Sequence, residues 1–254
     1  MLYGLYLSAT GVMTNSYRQD VIANNIANSE TVGFKRDLAL FQARRTEMKE
    51  SGASPSRSNA MLEALGGGVL ASPTLMDHAQ GDMDHTDSNL DVAIRGEGYY
   101  TVSNGDKTSL TRDGRFTINS HSRLAMAINP STEILDIKGK PITLNPSIPP
   151  IIDAQGVISQ NNQPVGRLAV VDAPDPTQLT KSGGTLLKYA DMTKLRPATG
   201  ATLESGFREM SNVEPSTELS NLMDAQRQLE ANANMIRYQD QMLSKLCNDV
   251  GKIS

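Results

Sequence analysis

The sequence holds no tryptophan, a single cysteine and only 4% aromatic residues in 254 positions. One thiol, Cys247, cannot close an intramolecular disulfide, so oxidation holds no part of the fold together. Few large rings mean few core anchors, and a chain of this kind leaves apolar surface for a partner to cover. Excess charge of one sign is missing as well: 24 basic residues stand against 28 acidic ones, a net of −4, with no long run of either. That balance gives no electrostatic footprint for nucleic acid or an anionic membrane, and neither is expected as a partner. Long hydrophobic runs are absent too. Met1–Met13 is apolar in places, but no Lys or Arg precedes it as in a secretory signal peptide. Its ~13 residues also fall short of the roughly 20 that span a bilayer, so no direct membrane insertion is expected. The chain is expected to be soluble, either intracellular or leaving the cell by a route that needs no cleaved peptide.

What is present falls into three kinds of segment. Residues 1–28 read as a helix, with Leu2, Leu5, Ala9, Val12, Ala23 and Ile26 recurring at intervals of three and four and Ser16 and Gln19 interrupting them. From Met1 to Tyr17 there is no charged residue, and the remaining positions hold Ser8, Thr10, Thr14, Asn15, Asn24 and Asn25. A surface helix normally shows a charged back. Uncharged, hydrogen-bonding flanks suit a helix enclosed by others on several sides; an ordinary core helix of one globule is the alternative. The helix should end near Asn28, where Asn28-Ser29-Glu30-Thr31-Val32-Gly33 mixes turn formers with a glycine that accepts positive φ. Residues 42–68 are polar and of low complexity, and read as an extended or flexible arm with a short helical turn around Met61–Leu65.

From about Gly68 to Gly200 the period becomes two. Leu90, Val92 and Ile94 alternate with Asp91, Ala93 and Arg95, and Phe116–Ile118, Ile134–Ile137 and Arg167–Val171 read as further short strands. Turn clusters such as Ser103-Asn104-Gly105-Asp106 and Gln160-Asn161-Asn162-Gln163-Pro164 separate them, and every proline but Pro55 and Pro215 lies between Pro73 and Pro197. An antiparallel β-domain of hairpins follows. The last segment, about Glu214 to Asp249, is a long helix. Leu219, Leu222, Leu229, Ala233, Ile236, Leu243, Cys247 and Val250 mark its stripe, interrupted by Gln226 and Asp240. About 36 helical residues reach roughly 54 Å, longer than a compact domain of this size needs. Leu7, Met13, Met223, Met235, Met242 and Leu246 lie off the stripes and would stay partly bare, which points to association with other copies.

The fold class expected is thus α+β: a coiled-coil-like pair of N- and C-terminal helices, discontinuous in sequence, with a central antiparallel β-domain. Boundaries are expected at 1–35 for the N-terminal helix, 36–87 for the arm and linker, 88–200 for the β-rich part and 201–254 for the C-terminal helix.

Candidate chemistry is sparse. Gly66-Gly67-Gly68 lacks a following Lys-Ser/Thr, and Gly96-Glu97-Gly98 does not precede a helix, so neither has the context of a phosphate loop. His78 and His85 stand among Asp77, Asp82, Asp84 and Asp87 without the spacing of a known ligand set. Asp91 and Glu97 could be imagined as the paired carboxylates of a glycan-cleaving enzyme. In a strand and the turn after it, they read rather as a solvent-facing and a hairpin residue. Cys247, on the apolar stripe of a helix, reads as a buried, inert thiol. No catalytic residue, cofactor or metal is expected. A monomeric β-rich surface-binding or cap module stays open beside an assembling structural protein.

Three segments resemble the family of flagellar rod and hook proteins. The first runs Ser8-Ala9-Thr10-Gly11-Val12-Met13 and then Ile22 to Arg36, with Asn24, Asn25, Asn28, Thr31, Gly33 and Phe34 in it. The second is Asn89 to Tyr100, containing Asp91, Gly96 and Gly98, continued by Leu110 to Phe116. The third is Glu204 to Phe207 and Ser211-Asn212-Val213-Glu214-Pro215, on to Ala233. The resemblance implies a subunit that assembles with other copies and with neighbouring rod and hook proteins into a helical tube. Its paired terminal helices would form the inner wall around an export channel, with the β-domain outward. It further implies passage, uncleaved, through the flagellar type III export apparatus to the periplasmic rod of the basal body. Length and the polar segment 42–68 favour a distal over a proximal rod subunit. The stripe residues Leu2, Leu5, Ala9, Val12, Ala23, Ile26, Leu219, Leu222, Leu229, Ala233, Ile236, Leu243 and Val250 are the expected assembly interface.

Overall fold

The computed structural model describes residues 2–43, 68–105 and 107–250. Among them the chain forms two α-helices and a central set of antiparallel strands, the α+β class that the change of period implies. It divides into two compact units. One holds the described residues of Met1–Ala27, Asp37–Leu75 and Glu214–Ser254, the other those of Asn28–Arg36 and Met76–Val213.

In the first unit, α1 spans Leu2–Ala27 and α2 spans Pro215–Val250, a helix of 36 residues. Proline opens α2 because the first turn has no use for its missing N–H. Just ahead of it, the Glu214 carboxylate accepts from the hydroxyls of Ser216 (2.9 Å) and Thr217 (3.0 Å), and its carbonyl takes the Glu218 N–H at 3.0 Å. The helices run antiparallel, since Gly4 lies against Gln239 and Gly11 against Asn232. Strands β1 (Asp37–Ala43) and β2 (Val69–Met76) pair as a two-stranded ribbon. The Tyr17 ring meets Phe41 of this ribbon edge-on at 6.4 Å, and its hydroxyl donates to the Ser72 carbonyl at 3.4 Å. The arm expected at 42–68 begins inside β1; its turn at Met61–Leu65 and the rest of 44–67 lie outside the described residues.

The second unit carries β3 (Met83–His85), β4 (Val92–Arg95), β5 (Tyr99–Asn104), β6 (Lys107–Thr111), β7 (Phe116–Ile118), β8 (Leu124–Met126) and β9 (Glu133–Ile134). It continues with β10 (Ile151–Ile152), β11 (Val157–Gln160), β12 (Gln163–Arg167), β13 (Val170–Asp172), β14 (Leu179–Lys181), β15 (Leu186–Tyr189), β16 (Arg196–Pro197), β17 (Thr202–Ser205) and β18 (Phe207–Glu209). The main sheet has the order β14-β15-β6-β5-β9-β8-β7, with β13 joined to β5 and carrying β16, while β10-β11-β12 form a separate sheet. The returning chain closes the unit, β17 pairing with β4 and β18 with β3. The β11–β12 turn is Asn161-Asn162, both at positive φ (52° and 62°), the backbone that a two-residue hairpin demands and asparagine tolerates.

Strand β5 shows how few aromatics suffice. Its neighbouring side chains point to opposite faces, so Tyr100 and Val102 enter one core with Ile94, Phe116, Leu124, Ile134 and Ile158, while Tyr99 enters another with Leu110, Leu179 and Leu187. Tyr100 is fully buried, meets Phe116 edge-on at 5.1 Å and satisfies its hydroxyl on the Val92 carbonyl at 2.8 Å. Burying such a side chain contributes roughly 2–3 kcal/mol.

Two strand expectations need correction. Val92, Ala93 and Ile94 are all buried, because β4 is covered on both faces rather than alternating between core and solvent. The run Arg167–Val171 is not one strand. Leu168 N–H bonds Gly156 and Ala169 N–H bonds Leu135, so the backbone leaves β12 there and crosses to the main sheet.

Candidate functional site

Within the helical unit, α1 turns a small and polar face to α2. Gly4 and Gly11 touch the Gln239 and Asn232 side chains, and Ser8, Ile22 and Asn25 on the same face are buried. Asn25 is held by the backbone of β1: its amide nitrogen donates to the Asp37 carbonyl and its oxygen accepts the Asp37 N–H, both at 2.9 Å. On α2, half-buried Leu222, Leu229, Ile236 and Leu243 recur every seven residues, with Glu218, Ala225, Asn232 and Gln239 repeating between them. Ala233 is half-buried, and Leu5, Ala9, Val12 and Ile26 are half-buried about a third of a turn round α1 from its glycine line. Ala23 and Leu219 are exposed, while Leu2 and Val250 have side chains outside the described ones. Met13, Met223, Met235, Met242 and Leu246 are exposed, as are Tyr6 and Tyr238. Cys247 is exposed rather than buried. In the register of the Gly4–Gln239 contact, the start of α1 at Leu2 is level with Gln241, and α2 continues past it to Val250.

The three segments that carry the resemblance meet in the second unit, around an ion cluster. Lys35 Nζ lies 2.6 Å from Glu209 Oε1, and Arg112 Nη1 lies 3.0 Å from Glu209 Oε2. All three side chains are buried, Glu209 completely. Backbone groups take part of the remaining capacity, while Arg112 Nε is buried without a hydrogen-bond partner among the described residues. Lys35 donates to the Ala79 carbonyl at 2.7 Å, Arg112 Nη2 to the Gly96 carbonyl at 2.8 Å, and Glu209 Oε1 accepts the Gly81 N–H at 3.2 Å. Burial pushes the Lys35 ammonium below its ordinary range, and the adjoining Glu209 carboxylate opposes that shift.

Several signature residues bracket this hub, and others hold the turns and strands around it. Gly33, at φ +70°, donates to the Glu209 carbonyl at 2.8 Å, and a Cβ there would stand 2.6 Å from the Asp113 nitrogen, so only glycine fits. Phe34 lies under Lys181 Nζ at 3.8 Å, and Lys181 itself donates to the Lys35 carbonyl at 2.7 Å. Asn28 accepts the Thr31 N–H at 3.1 Å, closing the turn after α1. Asn212 accepts the Arg36 N–H at 2.8 Å and donates to the Asp77 and Ala79 carbonyls, both at 3.1 Å. Ser211 takes the Val213 N–H at 3.2 Å. The Asp91 backbone forms an isolated antiparallel β-bridge with that of Arg115, and its carbonyl accepts the Gly206 N–H at 2.8 Å. Gly96 donates to Gln80 Oε1 at 3.2 Å, and Gly98 leaves room for Val170. Asn24 lies on the exposed side of α1. Lys35, Arg112 and Glu209 were not singled out by sequence reasoning: each stands next to another charged residue, Arg36, Asp113 and Arg208, so no local pattern marks it for burial.

The groups considered for chemistry have other partners. Asp77 pairs with Arg36 at 3.0 Å and Asp84 with Arg208 at 2.6 Å, while the His85 ring meets Phe207 edge-on at 5.0 Å. His78 Nδ1 shares a hydrogen bond of 2.9 Å with the Tyr99 hydroxyl, whose pKa burial raises to about 12. Glu97 is exposed in the turn between β4 and β5. Among the described residues no cluster of three or more His, Cys, Asp or Glu is placed to hold a metal, and no helix is long and apolar enough to cross a membrane.

The chain thus has a strand-built unit closed by a buried ion hub and a separate unit of two end helices with exposed apolar residues. The comparisons give its family. The family pattern described as flagella basal body rod protein matches residues 5–35, and that described as flagellar basal body rod FlgEFG protein C-terminal matches residues 204–248. The flagellar basal-body rod protein FlgF of Caulobacter vibrioides is 32% identical over 98% of both chains. The rod protein FlgG of Buchnera aphidicola from Schizaphis graminum is 32% identical over 97% of this chain and 99% of its own, and FlgG of Bacillus subtilis is 29% identical over 98% and 99%. The chain belongs to the flagellar basal-body rod protein family. The two matched patterns meet physically in the Lys35–Glu209 ion pair.

Proposed function

We propose that the chain polymerises, with further copies and with neighbouring rod and hook proteins, into the helical tube of the flagellar rod. In this reading α1 and α2 pack against the helices of adjacent subunits as the wall of an export channel, and the strand-built unit faces outward. The tube transmits torque, and its subunits arrive uncleaved through the flagellar type III export apparatus in the periplasmic part of the basal body. The role is structural and not catalytic. The observation that carries the reading is the match to rod proteins over 98% of both chains. The bare Met235, Tyr238 and Met242 of α2 support the helices as the assembly surface, because such surface on a monomer marks an interaction site.

Electron microscopy of basal bodies from cells lacking the gene tests this. The expected particles end at the inner-membrane ring or carry a truncated rod and no hook, and the length left shows where along the axle the protein sits. Intact rods and hooks in that strain would overturn the reading in favour of a β-rich binding or cap module.

A further inference from the structure

Methionine outnumbers phenylalanine in this chain, 12 residues against 4, and its exposure follows the division into two units. In the strand-built unit Met76 and Met126 are buried, 8% and 3% exposed, and Met83, Met192 and Met210 are half-buried. The described methionine side chains of the helical unit are the reverse. Met13 is 72% exposed, Met223 48%, Met235 53% and Met242 64%.

The last two belong to a continuous strip. Met235, Tyr238, Met242 and Leu246 follow one another at intervals of three, four and four, which sets them one above the next along α2. All four are exposed. The half-buried line of the same helix uses hydrocarbon side chains instead, Leu222, Leu229, Ile236 and Leu243. For covering apolar surface, leucine and methionine are near equivalents. They differ in chemistry, because a thioether sulfur takes up oxygen from a peroxide and a hydrocarbon does not.

We propose that Met235 and Met242 form a peroxide-sensitive modification site, at which sulfoxide formation withdraws an unassembled subunit from use. The O–O bond of the peroxide breaks, one oxygen bonds to the methionine sulfur, and the other leaves as water. Sulfur gives up two electrons, and the peroxide takes them. The product is polar where the thioether was apolar. Enclosing it in an apolar contact strands its oxygen away from water, with the cost of any unpaired buried polar group. A sulfoxide reductase returns it to the thioether, so the change is reversible. The site rests on the exposure of these side chains in the single chain. Its consequence, loss of incorporation, rests on the assembly reading, in which neighbouring subunits cover the strip.

Two measurements test the two parts separately. In the first, the purified full-length chain is treated with hydrogen peroxide without denaturant, and sulfoxide is followed at each methionine by peptide mass spectrometry. Met235 and Met242 should be oxidised roughly tenfold or more faster than the buried Met76 and Met126. Peptide mapping keeps this apart from oxidation of Cys247, the exposed thiol on the same helix. Equal rates at all four methionines would overturn the site. In the second, cells make the parent chain together with the variant Met235→Gln, Met242→Gln, which carries a fixed polar amide in place of each sulfoxide. Rods purified from them should hold the variant at roughly a tenth or less of its share in the unincorporated pool. Equal shares in rod and pool would overturn the consequence. Rods from which the parent chain is itself absent would count against the assembly reading alone, and the oxidation site would stand or fall on the first measurement.

Discussion

Glu209 holds two cations in a site that water does not reach. Taking charges out of water is offset only while every partner is in place, and removing one leaves the others uncompensated. Glu209→Gln should therefore destabilise the strand-built unit by about 3–5 kcal/mol, read as a fall in the denaturant midpoint of the full chain. An equal midpoint would mean that the cluster is not buried in solution. His78 makes a second claim at this scale. Its burial, and then the nearby positive charge of Lys35, hold its pKa below the ordinary 6.5; the Pro176 carbonyl and Asp77 oppose that, and Arg112 adds to the lowering. A histidine depressed in the folded state contributes stability that is complete above the unfolded value and lost as pH falls below it. The melting temperature should drop between pH 7 and pH 5, and His78→Gln should flatten that drop. A parallel decline in both proteins would assign the acid sensitivity elsewhere.

The elements divide into those whose cause is local and those whose cause is not. Both end helices are legible in the sequence, because their periodicity and the Glu214-Pro215 start lie within a few residues of where they act. Which face of α1 meets α2 is not. Periodicity finds Leu5, Ala9 and Val12, whereas approach is closest where side chains are smallest, at Gly4 and Gly11. The hub was equally hidden. Its residues are 174 positions apart in the Lys35–Glu209 bond and 97 apart in the Arg112–Glu209 bond, and no local pattern encodes such a meeting. Position on α2 also separates two classes of variant. Leu229→Asp puts a charge on the face turned to α1, costs several kcal/mol and should lower helix content as well as incorporation into rods. Met242→Asp, on the bare side, should change monomer stability by no more than about 0.5 kcal/mol while still blocking incorporation. Circular dichroism of the purified chains and swimming halos of the complemented strains separate the two. Normal motility with Met242→Asp would remove that side of α2 from the assembly surface.

At the scale of the whole molecule, the two compact units differ in what holds them. The strand-built unit contains its own cores and its own ion hub; the helical unit carries the bare methionines and tyrosines. Residues 44–67 lie in the chain between the two strands of the ribbon, β1 and β2. Replacing them with a short turn should leave the strand-built unit's exchange protection unchanged and alter the straightness or stability of the rod. Loss of protection in β5 or β6 on that deletion would show that the unit boundary lies elsewhere. The account as a whole meets its most direct test in a cryo-electron microscopy reconstruction of rods purified from cells that make this protein. It predicts a subunit whose α1 and α2 line the lumen, whose Met235 and Met242 are covered by neighbouring subunits, and whose Lys35–Glu209–Arg112 cluster is intact in an outward unit. A rod that lacks this chain, or one in which both helices face solvent, would contradict it.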